Sequence, residues 1–353
     1  MKSSILNLSF IMIVVFALIT AGCSNSGSSG NTDNTGGEGQ TYKMVIGAAI
    51  NEQDWRAQGL KDFKNIVEER TKGQIQVEVF FGGTLGNDSE LIQKTQMNNI
   101  QGVITSTSNL SKTIEKLKVL DLPFAAPQPA QYQAFYSDGQ FGGELTAALQ
   151  EQAEEKALHL LYLYPFQPRQ VATKDKFIKT VDDMKGLNIR TSSSEIERGI
   201  ISAFSANPIT LGIGEVYTAL QTGTVDGEGL PFTDMHSFKH SEVAKKVSFV
   251  NFQSMAVIVA TSKEFYDSLP SELQQIVSEA ASEVGKQGIE YMDEAYAEVR
   301  QEMENEGVEF YENSNEELET FREAAQQVID SYSNEIGQEW IDQAYEALGQ
   351  YLK

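Results

Sequence analysis

The chain has one cysteine in 353 residues. With Cys23 alone, no internal disulfide can form and no thiolate cluster can hold a metal. Histidine is nearly as scarce, limited to His159, His236 and His240. His236 and His240 stand four apart, a spacing that puts two imidazoles on one helix face as a zinc site does. No HExxH pattern accompanies them. No P-loop and no GxSxG elbow occurs, nor GxGxxG in the right context. The many carboxylates are scattered along amphipathic helices as solvated faces are. No catalytic constellation is recognisable, and no cofactor or metal is expected. Basic residues are few, with 27 Lys and Arg against 50 Asp and Glu and a net charge of -23. That balance excludes the basic footprint of nucleic-acid binding and argues against lying on anionic lipid. Arginine occurs only at 56, 70, 169, 190, 198, 300 and 322, so an inward-facing one is easy to notice.

The N-terminus reads as a targeting segment. Lys2 supplies a short positive region, and Ile5–Ile19 is apolar apart from Asn7 and Ser9. The run is short for about 30 Å of hydrocarbon and ends in small residues, as a signal peptide does. Thr20-Ala21-Gly22-Cys23 resembles a bacterial lipobox, with Thr20 where Leu is usual. The expectation is a signal peptide over 1–22 and a lipidated Cys23, whose two acyl chains give stable anchoring. Ser24–Gln40 is rich in Gly, Ser, Asn and Thr and reads as a flexible tether. The membrane is then reached through the lipid anchor only.

From Tyr42 the pattern alternates. Tyr42–Ala49 predicts a strand, and Asp54–Thr71 a helix with Trp55, Leu60, Phe63, Ile66 and Val67 on one face. Ile75–Phe81 alternates as a strand does, and a helix follows with Asn87 or Asp88 as N-cap. Gly102–Thr105 predicts the next strand, before the polar run Ser106–Asn109. Strand, helix, strand, helix predicts a parallel sheet, which binds ligands at the carboxyl ends of its strands. Gln131–Glu154 predicts a helix and Leu158–Tyr164 a strand. Pro165-Phe166-Gln167-Pro168 is a natural place for the chain to leave a first lobe, and the strand-rich stretch Val247–Ala260 would carry it back. Pro270–Glu306 is one uninterrupted helical pattern, roughly 55 Å long at 1.5 Å per residue.

The segment Met184–Pro231 is the most informative. It holds a strand-like LNIR, a helix-like Ser194–Phe204, a turn at Pro208, and then EVYTALQTGTVDG. This order resembles the ligand-binding half of the solute receptors of tripartite ATP-independent periplasmic (TRAP) transporters, the DctP-like family. VLDLPF at Val119–Phe124, a strand running into Pro-Phe, resembles that family too. The resemblance implies an α/β, two-lobed periplasmic-binding-protein-like fold with a ligand cleft between lobes and one long helix spanning both. It implies lobe I at 42–166 plus about 254–296, and lobe II at 167–253 plus about 297–353. It also implies delivery of the ligand to integral-membrane permease subunits driven by an ion gradient.

The site residues follow from the same match. Arg190, after KGLNI, matches the arginine that grips a substrate carboxylate. A guanidinium fork fits a carboxylate bidentately. Arg169 matches a second ligand-facing arginine. Where the family commonly has an Asn and an aromatic residue, this chain has Leu230 and Ile213, which implies a more apolar ligand wall. The first lobe is expected to offer Trp55, Asn87, Asp88 and Ser106, with Asn51 beside them; Asn87 and Asp88 could equally only cap a helix. The expected function is an extracytoplasmic receptor for a small organic anion. The alternatives are a sensory receptor for the same anions or an extracellular enzyme on a similar scaffold.

Overall fold

The computed structural model describes residues 40–124 and 143–347. The signal peptide, Cys23, the tether and the first part of the Gln131–Glu154 helix lie outside the described residues. Strands run β1 (Tyr42–Ala48), β2 (Ile75–Phe80), β3 (Gly102–Ser106), β4 (Leu158–Phe166), β5 (Gln170–Thr173), β6 (Asn188–Thr191), β7 (Asn207–Thr210), β8 (Gly227–Leu230), β9 (Lys246–Ser248), β10 (Met255–Ser262) and β11 (Glu309–Tyr311). They form two sheets, ordered β2-β1-β3-β10-β4 and β11-β9-β5-β8-β6-β7.

The first sheet is parallel where β1, β2 and β3 meet. Helix α1 (Arg56–Arg70) links β1 to β2 and buries Leu60, Phe63 and Val67. Helix α2 (Asp88–Gln96) links β2 to β3 and starts on a complete capping box, with Asn87 as N-cap and Glu90 bonding back. β10 comes back from the second sheet, so it runs antiparallel to both β3 and β4. The crossing points are thus β4 into β5 and the stretch from β9 to β10. In the second sheet β6 lies parallel between β7 and β8.

Two sequence expectations need correction. Val119–Phe124 does not form a strand: Glu115–Asp121 is a 3-10 helix, and Pro123 makes only a single bridge to Gln253. Leu117, Val119, Leu120 and Leu122 are all fully buried, and a short run buried on every side reads alike as strand or helix. Pro208 is not a turn but part of β7, the edge strand, where a missing N–H leaves no ladder bond unmade.

The long helix spans Ser271–Asn305, with Pro270 as its N-cap residue. Gly307 follows it at a φ of 84°, the left-handed conformation that glycine enters without a Cβ penalty. Leu273, Val277, Ala281 and Val284 pack in the core of the first sheet. Further along, Met303 belongs to the core of the second, and the Tyr296 ring meets Phe232 edge-on at 4.7 Å. One rigid rod therefore carries both lobes. Gly288 lets it lie on β4, because a Cβ there would sit 2.4 Å from Tyr164 Cγ.

Asp121 is a fully buried acid. Its Oδ1 accepts from Thr107 Oγ1 and Ser108 Oγ, both at 3.0 Å, while Oδ2 has no partner. Burial pushes its carboxyl up to about 7, against the pull of those hydroxyls. A carboxyl held above its unfolded value stabilises the fold at low pH, and that contribution disappears as pH rises through about 7. Asp121→Asn is therefore expected to flatten the pH dependence of the melting temperature between about pH 4 and 7. Parallel pH–melting curves for the two proteins would refute this.

Candidate functional site

The carboxyl ends of β1, β3, β6 and β8 converge on one cleft between the sheets. The cavity there is lined by Arg190, Arg169, Leu230, Ile213, Asp88 and Ser106 among the residues expected from sequence. Asn87 lines the adjoining cavity, which shares Asp88, Arg190 and Ile213. Trp55 is placed elsewhere. Its ring packs 5.8 Å from Tyr164 and 5.7 Å from Phe166, and it borders a separate groove with Asn51. An indole at the end of an apolar helix face is drawn to the aromatic core beside it.

Arg190 is carried on β6 and is 3% exposed. Its Nε and Nη2 donate to the Leu211 carbonyl at 3.1 and 2.9 Å. Nη1 is buried with no partner. Among the described residues Arg190 makes no ion pair, in contrast to Arg169 and Arg56. Burial pulls its pKa below the ordinary guanidinium value, and Glu197 only partly opposes this. The cleft thus holds a buried cation with a donor still to satisfy, a costly state that an anion relieves.

Arg169 plays a different part. Its Nη2 meets Glu197 at 3.2 Å and its Nη1 donates to the Gly229 carbonyl at 2.8 Å. Its backbone bonds Gln253 and Phe252, where the chain crosses between the sheets. Only Nε is left without a partner. Glu197 also accepts from the Ser192 backbone N–H at 2.9 Å, so it shapes the loop that leaves Arg190.

Sequence reasoning missed a third arginine. Arg56 lines the cavity and grips Asp54 with Nε and Nη2, each at 2.7 Å. Nη2 also bonds Asp234, which comes from the helix Phe232–Ser237 beyond β8. The contact therefore runs from the first lobe to the second. Burial, reinforced by the charge of Asp54, pushes Asp234 up to about 6 despite Arg56. The signal available was the Asp54-x-Arg56 pair at the head of α1. Nothing in FTDM pointed to Asp234. The remaining walls are mixed: Ile50, Ile104, Phe166 and Met255 join Leu230 and Ile213 on the apolar side, and Thr105, Asn109 and Ser192 add neutral polar groups.

Two α/β lobes with a polar cleft between the carboxyl ends of their strands define a two-lobed solute-binding protein. The chain belongs to the family of bacterial extracellular solute-binding proteins, family 7 (DctP), whose model matches residues 46–335. The 2,3-diketo-L-gulonate-binding periplasmic protein YiaO of Escherichia coli is 30% identical over 266 residues, 75% of this chain and 80% of that protein. The C4-dicarboxylate-binding periplasmic protein DctP of Rhodobacter capsulatus is 27% identical, over 81% of this chain and 85% of its own. Among solved structures, a TRAP periplasmic solute-binding protein from Sulfitobacter sp. NAS-14.1 with bound β-D-galacturonate superposes with a TM-score of 0.80. It is 25% identical and covers 87% of this chain and 99% of its own.

Proposed function

We propose that this protein is an extracytoplasmic receptor that captures a small organic carboxylate between its lobes and hands it to TRAP permease subunits in the membrane. The observation that carries this reading is Arg190: buried, unpaired by any described carboxylate, and with Nη1 aimed at nothing. A carboxylate supplies both the charge and the acceptor. Organic acids named for its relatives, among them 2,3-diketo-L-gulonate and C4-dicarboxylates, support the same chemical class. Closure is a population shift: the ligand favours the state in which both lobes touch it. In this reading the chain leaves the first lobe near Phe166 and returns near Ser254. Cys23 carries the lipid that holds the receptor at the outer face of the membrane. The cleft serves binding and not turnover. The carboxylates on and behind its walls are engaged by arginine or hydroxyl groups.

The test is mass spectrometry of the solute released from mature protein purified under native conditions, followed by titration of that compound. An organic acid bound one to one is expected. A neutral sugar or a cation as the sole bound solute would overturn the proposal.

A further inference from the structure

The cleft's charges are unequal in their pairing. Arg56 is neutralised by Asp54 and Asp234, and Arg169 by Glu197. Glu228, behind Arg190, is engaged by His240 at 2.9 Å. Two charged groups lining the cavity remain without an ionic partner among the described residues. One is Arg190 on the second lobe. The other is Asp88 on the first. Asp88 opens α2, where an acidic residue is favoured by the helix dipole alone, so its presence there says nothing by itself. Two further facts do. Its Oδ1 accepts from Thr105 Oγ1 on β3 at 2.7 Å, which holds the half-buried carboxylate at the cleft wall. It also lines both cavities together with Arg190, whose Nη1 is buried and unpaired.

A ligand lying between these groups meets a fixed cation at one end and a fixed anion at the other. Resting on the reading of Arg190 as the carboxylate anchor, we infer that Asp88 selects the ligand's second end. The cleft takes a monocarboxylate whose other polar group is a hydrogen-bond donor, a hydroxyl or an ammonium. It rejects a second carboxylate. Like charges brought together across an interface suppress the wrong partner. A donor at the same place satisfies Asp88 instead, and an ammonium would also balance its charge. Of the other cations on this wall, Arg56 is already held by Asp54 and Asp234 and Arg169 by Glu197, with only the Arg169 Nε unpartnered, and the neutral Ser106, Asn109 and Ser192 add no charge to relieve a second carboxylate.

The experiment is calorimetric titration of ligand-free protein and its Asp88→Asn variant with four acids of equal chain length. These are succinate, 4-hydroxybutyrate, 4-aminobutyrate and butyrate. The unaltered protein should prefer at least one donor-bearing acid over succinate by a factor on the order of ten or more. In Asp88→Asn that ratio should narrow by about the same factor, the protein remaining folded. The hydroxy and amino arms tell which donor is favoured. A preference for succinate, or a ratio that Asp88→Asn does not move, overturns this inference and leaves Arg190 as the anchor. Failure of all four acids to bind, while a neutral solute binds, overturns the carboxylate reading itself and this inference with it.

Discussion

Arg190→Ala should weaken binding of the native ligand by a factor on the order of 10² or more. Arg190 Nε and Nη2 are already spent on the Leu211 carbonyl, so the interaction with the ligand falls on the buried, unpaired Nη1 and the charge behind it. Removing one member of a desolvated charge pair costs about 2–5 kcal/mol, because the other is left without compensation. Arg190→Lys should fare little better. An ammonium cannot hold the Leu211 carbonyl through two nitrogens and still present a donor to the ligand. Titration calorimetry with the co-purified acid measures both variants. If affinity in Arg190→Ala changes by less than about threefold, under 1 kcal/mol, the carboxylate anchor lies elsewhere.

Arg190 was legible because its strand, its following helix and the EVYTALQTGTVDG segment stand in a recognisable order, and a strand end is where such sheets bind ligands. Periodicity also located most elements of the first lobe: β1, α1, β2 and the start of α2 each alternate or cap in a way local physics dictates. What failed is equally physical. VLDLPF is buried on all sides, so its apolar content could not distinguish a strand from the 3-10 turn it forms. Pro208 was read as a turn because its tolerance at a sheet edge depends on strand order, which a sequence does not display. The cross-lobe contact of Arg56 with Asp234 joins residues 178 apart. No local pattern links them, and only the assembled cleft brings them together.

That contact leads to a second large effect. Arg56 bridges two acids, Asp54 on its own lobe and Asp234 on the other, all three nearly fully buried. The Arg56→Ala variant would leave two carboxylates in one dry pocket. Breaking a buried ion pair by removing one partner costs about 3–5 kcal/mol, and the lobes can escape that cost by parting and readmitting water. Among the described residues, the other polar contacts at the cleft are single neutral bonds, Asn51 Nδ2 to the Ser237 carbonyl at 3.0 Å and Ser193 Oγ to Asn109 at 3.1 Å; outside the cavity lining, Lys118 pairs with Glu335 and Trp340 Nε1 donates to the Lys116 carbonyl. The two neutral bonds cannot keep the cleft closed against the repulsion. Arg56→Ala should therefore have a larger radius of gyration in solution scattering at pH 8 and bind its ligand at least tenfold more weakly, about 1.4 kcal/mol. Two interventions should reverse the defect in part. Asp234→Asn in the same chain removes the second charge. Acidification does so by protonation, since Asp234 already titrates near 6 with Arg56 present and loses its main attractive partner in the variant. Recovery by either route separates a latch from a ligand contact. Had Arg56 acted by touching the ligand, neutralising Asp234 would restore nothing. An Arg56→Ala protein with unaltered scattering and affinity, or one made worse by Asp234→Asn, would show that the lobes are held by other means.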